Sequence, residues 1–167
     1  SSFVKQGIVS VAVGTQPGSL ENALTALAGT AHPCIRVEVP VSPVGMEYTC
    51  HMKVPKMLEW ISNTIRAAKE KCAMVEFCAV DASRAEKEFL TDAVRTAVEA
   101  GATQIAVCDS AAEMLPDDFA VFAQEIAESV SRNNNRYILV GSCQVAEDTC
   151  RNGRDNHAQR TLCKAHK

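Results

Sequence analysis

Five short apolar runs recur along the chain, separated by segments whose apolar residues repeat every three to four positions. The runs are rich in Val and Ile and nearly continuous, which is typical of strands buried on both faces of a parallel sheet. They lie at 7–13, 34–41, 74–80, 104–109 and 136–141. Because parallel strands need helical crossovers, the alternation predicts a β-α-β-α-β-α-β-α-β chain with right-handed connections.

The four intervening segments carry helix start signals. We expect Ser19 to cap the first helix and Pro55 to be the first residue of the second. The third opens with Ser83 and Glu86 at capping-box spacing, and the fourth begins at Pro116, followed by two acids that suit a helix N-terminus.

Two α/β architectures fit this pattern. The first is a partial (β/α)8 TIM-type barrel, and the alternative is an open doubly wound sheet of five parallel strands. A complete barrel takes about 250 residues. The chain has 167 residues, enough for about five βα units, and we assign residues 1–144 to this domain.

Residues 145–167 break the rhythm, with few large apolar side chains and no helical stripe. We expect a polar tail that is poorly ordered or loosely helical. Its cysteines and histidines are zinc-ligand types, but their spacing matches no familiar finger, so we favour a solvated tail. They are Cys150, His157, Cys163 and His166.

Composition narrows the function classes. The formal net charge is −3 with dispersed Lys and Arg, which argues against a nucleic-acid partner, and no apolar run reaches membrane-span length. Eight cysteines include no C-x-x-C pair, and no basic-then-apolar leader is present, so we expect a reduced, cytoplasmic protein. Cys34, Cys78 and Cys108 lie in apolar stretches, where a thiol behaves as a small hydrophobe.

Polar residues cluster where each strand should end, the edge at which parallel α/β folds place their chemistry. They are Thr15, Gln16, Ser42, Asp81, Ser83, Arg84, Asp109, Ser110, Cys143 and Gln144. Arg84 can hold a carboxylate through its planar fork, and Ser110 can donate to the same group. The alternative is that Ser83 caps a helix and Arg84 is a solvated first-turn residue.

Other motifs are weaker. The stretch GTQPGS at 14–19 lacks the spacing and the lysine of a phosphate loop, so turn formation explains it. Cys50 and His51 are adjacent but have no evident third partner for nucleophilic catalysis.

The stretch VEFCAVDASR, continued by EAGATQIAVCDS, resembles the middle of the 2-isopropylmalate synthase and homocitrate synthase family. Upstream, RVEVPVSPVGMEYTCHMK resembles that family's segment reading roughly S-D-x-H-M-E-Y-K-L, and the similarity is best over 35–130. The resemblance implies a metal-dependent (β/α)8 acyltransferase of amino-acid biosynthesis that condenses acetyl-CoA with a 2-oxo acid. It implies that 7–13 is the third strand of such a barrel and 136–141 the seventh.

The same resemblance implies substrate-binding positions. Arg84 matches the family's substrate-carboxylate arginine, and Ser110 stands where the family usually has Thr after Asp. Asp81 and Cys78 fall within the strand-five S-x-E-D motif, with Cys78 in place of its Ser. Ser42 follows the preceding strand and completes the expected set.

Several family positions are occupied by different residues. The metal-binding His-x-His falls on Gly141 and Cys143, the strand-five carboxylate on Val80, and a loop histidine on Gly45. The family's first-strand Arg-Asp pair has no counterpart in the matched region. The resemblance thus implies a divalent metal in the family but none in this chain, and leaves open whether the chain is an enzyme.

We therefore expect the isolated chain to be catalytically incomplete, with acetyl-CoA and an unspecified 2-oxo acid as the family's small-molecule partners. The alternative is a non-catalytic module that binds 2-oxo acids or assembles with other copies. Because unpaired strand edges invite pairing, we expect a homo-oligomer.

Overall fold

A computed structural model of the chain describes residues 6–130, 138–143 and 162–165. Its strands are β1 (Val9–Val13), β2 (Pro33–Pro40), β3 (Met74–Val80), β4 (Gln104–Asp109), β5 (Ile138–Cys143) and β6 (Leu162–Ala165). Its α-helices are α1 (Ser19–Leu27), α2 (Pro43–Gly45), α3 (Val54–Lys71), α4 (Lys87–Ala100) and α5 (Pro116–Val130). The five predicted strands and four predicted helices are all present.

The strands pair in chain order, β1-β2-β3-β4-β5-β6, with the first five parallel and β6 antiparallel to β5. A doubly wound sheet reverses its strand order partway, whereas a sheet that always grows in one direction puts its right-handed crossover helices on one face. The described residues therefore form a partial (β/α)8-type α/β fold that does not close. The doubly wound alternative is wrong.

The core lies between the sheet and its helices. On β2, Ile35, Val37 and Val39 have no exposed surface, while Arg36 and Glu38 between them are partly exposed. The expectation that the strands are buried on both faces is therefore wrong for β2, whereas Cys78 of β3 and Ala106 of β4 are buried on the inner face as well. Successive side chains of a strand point alternately to the face that the helices cover and to an inner face that they do not cover.

The longest helix shows how this layer is held. Met57, Ile61, Ile65 and Ala68 of α3 are spaced four, four and three residues apart and are fully buried. Burial of one Ile side chain contributes about 1.5–3 kcal/mol, so this stripe fixes α3 on the sheet. The helix begins at Val54, so Pro55 is its second residue rather than its first. Helix α5 begins at Pro116, as predicted.

Two predicted helix caps do not form. Gly18, with φ 78°, precedes α1, and Ser19 lies inside the helix with its Oγ accepting the Gly14 N–H at 3.1 Å. Ser83 belongs to a separate 3-10 turn, and Glu86 caps α4 without a side-chain hydrogen bond. The Ser83 hydroxyl instead reaches Asp109, because the turn after β3 aims it toward the neighbouring strand.

The structure describes a short strand within the segment predicted as a tail. Four of its residues, Leu162–Ala165, form β6, with Leu162 opposite Gly141 and Ala165 opposite Ile138. Cys163 is therefore on a strand, whereas Cys150, His157 and His166 lie outside the described residues. The short strand was missed because a four-residue stretch carries almost no periodicity.

The segment after β2 is helical rather than an open loop. Ser42 caps α2 by accepting the Gly45 N–H at 3.2 Å, and a π turn over Met46–Cys50 follows directly. His51 ends it with φ 50°. Across the described parts of the chain, no helix has both the length and the apolar character needed to span a membrane.

Candidate functional site

Four of the five predicted substrate-binding residues meet where β2, β3 and β4 end. We call Ser42, Asp81, Arg84 and Ser110 the carboxyl-edge cluster. Asp81 directly follows β3 and has φ 62° and ψ 41°, a left-handed conformation that Asp tolerates better than most residues. The next three residues turn back, which brings Arg84 over the Asp81 carboxylate.

The Asp81–Arg84 contact is a two-point ion pair. Nε of Arg84 donates to Oδ1 of Asp81 at 2.8 Å, and Nη2 donates to Oδ2 at 2.6 Å. The Arg84 hydrogen bonds hold the pKa of Asp81 below its ordinary value; burial opposes that shift, and a hydrogen bond from Ser42 supports it. Asp81 is therefore anionic at neutral pH.

The second edge of the Arg84 guanidinium faces outward. Asp81 occupies the Nε–Nη2 edge, and among the described residues no side chain or carbonyl accepts a hydrogen bond from Nη1. The Arg84 side chain is 43% exposed. The Nη1–Nη2 edge is thus free to pair with a second carboxylate, because a guanidinium carries five N–H donors.

The two serines fix the same cluster from both sides. Ser110 accepts the backbone N–H of Asp81 at 3.1 Å and is itself exposed, so its hydroxyl proton is available to a bound group. Ser42 is only 1% exposed, and its hydroxyl supports the Asp81 carboxylate. Ser110 is positioned to touch a ligand, whereas Ser42 positions Asp81.

Asp109 and Ser83 stabilise the loop that leads to α5 and are not part of the carboxyl-edge cluster. Asp109 is fully buried and accepts from Ser83 Oγ at 2.5 Å, from the Glu113 N–H at 3.2 Å and from the Met114 N–H at 2.9 Å. One carboxylate therefore satisfies three donors and shapes the turn leading to α5. For these two residues the structural interpretation is favoured over a catalytic one.

Cys78 lies elsewhere, on the inner face of the sheet. It contacts Arg36 and Cys108 and, with Glu38 and Glu76, forms what we call the inner-face cluster. Nη2 of Arg36 lies 3.0 Å from Cys78 Sγ, and Cys78 Sγ lies 3.5 Å from Cys108 Sγ. The structure describes no contact between Cys78 and the carboxyl-edge cluster, so the role of Cys78 in substrate binding stays a prediction.

Arg36 is held by two carboxylates within this cluster. Its Nε lies 3.2 Å from Oε1 of Glu38 and 3.7 Å from Oε1 of Glu76. Both distances are within ion-pair range, but Nε of Arg36 forms no hydrogen bond with either carboxylate. Sequence reasoning missed the cluster, although polar residues at alternate positions of β2 and β3 were a signal for it.

The remaining candidates are scattered. Thr15 Oγ1 lies 3.7 Å from Cys50 Sγ, which joins the end of β1 to the π turn by a weak contact. Gln16 and His51 are exposed. Cys143 ends β5, and Gln144 lies outside the described residues.

Gly141 lies on the helix side of β5. It is opposite the buried Val107, and a Cβ added to Gly141 would lie 2.9 Å from Cε1 of Phe119 in α5. A histidine side chain therefore has no room at Gly141, the position that the family resemblance aligned with a metal ligand. Within the described ranges, no group of three or more His, Cys, Asp or Glu residues could hold a metal ion.

A parallel sheet that grows in one direction, with a basic and hydroxylic cluster at its carboxyl edge, defines the class as the (β/α)8-barrel type. A family model described as HMGL-like matches residues 5–139, and the chain belongs to that family.

The curated relatives bear the name 2-isopropylmalate synthase. The Lactococcus lactis subsp. cremoris (strain SK11) protein is 31% identical over 130 residues, covering 78% of this chain and 25% of the relative. The Aquifex aeolicus (strain VF5) protein is 31% identical over 140 residues, covering 84% and 27%. The chain thus spans about a quarter of these relatives' length. The predicted resemblance is confirmed for 2-isopropylmalate synthases, and that to homocitrate synthases stays a prediction.

Proposed function

We propose that the chain forms the carboxylate-binding edge of a 2-isopropylmalate synthase-type acyltransferase, which condenses acetyl-CoA with a 2-oxo acid. The observation that carries the proposal is the Arg84 guanidinium, anchored on Asp81 by one edge while its other edge faces outward. A bound 2-oxo acid would take that edge with its carboxylate and receive a further hydrogen bond from Ser110.

Anchoring by Asp81 favours this role. An arginine that is already oriented loses less side-chain freedom when a ligand binds, so more of the interaction energy appears as affinity. The opposing influence is Glu113, whose Oε1 lies 3.9 Å from Arg84 Nε. Glu113 is 51% exposed and can turn into solvent, so its repulsion of an incoming anion is largely screened.

We further propose that the polypeptide of residues 1–167 binds a 2-oxo acid without condensing it. Condensation requires a group that polarises the 2-oxo carbonyl and a base that removes a proton from the acetyl methyl group. Gly141, Val80 and Gly45 have no such side chains, although the family resemblance aligns them with imidazole or carboxylate residues. The proposal therefore includes no metal-dependent step in this chain.

The test separates binding from turnover. Turnover is followed by loss of the acetyl-CoA thioester absorbance with 2-oxoisovalerate or 2-oxoglutarate, with Mg, Mn or Zn added. Binding of each acid is followed by calorimetry for the unchanged chain, for Arg84→Gln and for Arg95→Gln. Arg95 is the matched control because it also pairs with an Asp three residues earlier, at 2.7 Å.

We expect no turnover, binding weakened at least about tenfold by Arg84→Gln (about 1.4 kcal/mol), and no change with Arg95→Gln. Turnover would contradict catalytic incompleteness. Equal binding by both variants, or no binding by the unchanged chain, would contradict the role of Arg84.

A second candidate function, assembly with another copy, is favoured by the edge of the sheet. Within the described residues, β1 pairs with β2 along one side only.

We also propose a cytoplasmic location, because Cys34, Cys50, Cys72, Cys78 and Cys108 are all free thiols.

A further inference from the structure

Two cysteines of the inner-face cluster are neighbours across adjacent strands. Cys78 on β3 is opposite Ala106 on β4, so Cys108, two residues further along β4, points to the same face. Their sulfur atoms are 3.5 Å apart. Cys78 and Cys108 are diagonal neighbours, for which Cα atoms lie about 7–8 Å apart. A disulfide has sulfur atoms about 2.05 Å apart and Cα atoms usually within about 6.8 Å, so the bond requires the ends of β3 and β4 to move closer together as well as side-chain rotation.

The surroundings suit thiolate chemistry. The guanidinium of Arg36 lies 3.0 Å from Cys78 Sγ, and a nearby cation favours the thiolate over the thiol. Glu38 and Glu76 hold Arg36 at this position. The two sulfurs differ in access, because Cys78 is 1% exposed whereas Cys108 is partly exposed. A small reagent therefore reaches Cys108 first.

We propose that Cys78 and Cys108 form a redox-active dithiol, which low-molecular-weight disulfides such as oxidised glutathione convert into an intramolecular disulfide. The inference is independent of the proposed synthase function. It assigns Cys108 as the attacking thiol and Cys78 as the resolving thiol.

The reaction consists of two thiol–disulfide exchanges. The Cys108 thiolate attacks one sulfur of the small disulfide, a mixed disulfide forms on Cys108, and the other half leaves as a thiolate. The leaving thiolate takes up the proton released by Cys78. The Cys78 thiolate then attacks Sγ of Cys108 and displaces the second half. One small disulfide is reduced to two thiols, and the protein dithiol loses two electrons to become a disulfide.

The acidity of the two thiols agrees with this order. The hydrogen bond between them lowers the pKa of Cys108 and raises that of Cys78, and burial raises the pKa of Cys78 further. Arg36 lies closer to Cys78, which favours ionisation there, but the burial of Cys78 keeps the shared proton on it. The more accessible sulfur is therefore the more nucleophilic one.

The test identifies the bond in the whole 167-residue chain. The folded protein is treated with oxidised glutathione, its remaining thiols are blocked with N-ethylmaleimide, and it is digested with trypsin and Glu-C. This digest places Cys78 alone on peptide 77–84 and Cys108 alone on peptide 100–113. We expect these two peptides to be joined before other cysteine peptides are, and to separate on treatment with dithiothreitol.

Three variants assign the order of attack. Cys78→Ser should accumulate glutathione on Cys108 at least about tenfold faster than on Cys34, which is buried. Cys108→Ser should leave Cys78 largely unmodified, and Cys50→Ser, the control, should form the bond normally. The proposal is overturned if the unchanged protein does not join 77–84 to 100–113, or if glutathione in Cys78→Ser shows no preference for Cys108. The first of these results is obtained with the unchanged protein, so it does not depend on whether a variant folds.

Discussion

Asp81 and Asp92 show that the same local pairing has different consequences at different sites. Each forms an ion pair with an arginine three residues later. Asp92 is 51% exposed and its pair lies on a helix surface, where such pairs contribute little. Asp81 is 7% exposed and also receives hydrogen bonds from Arg84 and Ser42, so its negative charge is supported by several donors.

Asp81→Asn should lower the free energy of unfolding by about 1 kcal/mol at pH 7, because charged hydrogen bonds are lost. Asn tolerates the left-handed backbone, so strain adds little. The folded pKa of Asp81 lies below its ordinary value, so its contribution is present above the unfolded pKa of about 3.9 and is lost as pH falls through the folded pKa. Urea unfolding between pH 7 and pH 3.5 measures the difference, which should begin to shrink below about pH 5.

Asp92→Asn is the control for this prediction. It should change the free energy of unfolding by only a few tenths of a kcal/mol at any pH in that range. An Asp81→Asn effect as small as the control, or one that does not shrink with falling pH, would show that the Arg84 contact does not stabilise the fold.

At the scale of elements, β5 and α5 are fitted together through a residue without a side chain. Phe119 of α5 is 1% exposed, and its ring lies against Gly141 of β5. The loop before α5 is shaped by Asp109, which binds two of its backbone N–H groups. The Gly141 position, which the family resemblance aligned with a metal-binding histidine, therefore takes part in helix–strand packing in this chain.

Gly141→Ala should destabilise the fold by about 1–3 kcal/mol, because the new Cβ would lie 2.9 Å from the Phe119 ring. Gly14→Ala is the matched control, since a Cβ there would meet no atom within 4 Å. Thermal and urea unfolding of both variants measure the effect. Combining Gly141→Ala with Phe119→Leu should recover part of the loss, and independent, additive effects would contradict direct contact.

At the scale of the whole molecule, the order of the strands determines the properties of both faces. Because the described helices lie on one face of the sheet, Arg36, Glu38 and the two thiols lie together on the other. In a closed barrel this face would be the interior. The described residues also leave β1 with one unpaired side, which can accept a strand from another molecule.

We expect the 167-residue polypeptide to form dimers, because an unpaired parallel strand gains backbone hydrogen bonds by pairing. Light scattering coupled to size-exclusion chromatography measures the mass over a range of concentrations. Ala12→Lys places a charge on an exposed position of β1 and should shift the equilibrium toward monomer at least about tenfold. The matched change Val121→Lys, on an exposed position of α5, should have no effect. A monomer at every concentration would contradict edge pairing.

Local pattern was sufficient to locate the five parallel strands and the main helices, and short sequence motifs were sufficient to recognise the family. Periodicity reports which residues of one segment share a face, so Asp81, Arg84 and Ser110 could be placed at one sheet edge in advance. It does not report contacts between segments. Ser83 therefore looked like a helix cap, and Cys78 looked like either a small hydrophobe or a substrate ligand.

The partners of these side chains were decided by strand register and by the side of the sheet that the helices cover. Register brings Cys78 within reach of Cys108 and Arg36, and it turns Gly141 toward Phe119. These contacts join residues about 20 to 40 positions apart in the chain. Only the pairing of whole strands specifies them, because a shift of one residue moves every side chain to the opposite face.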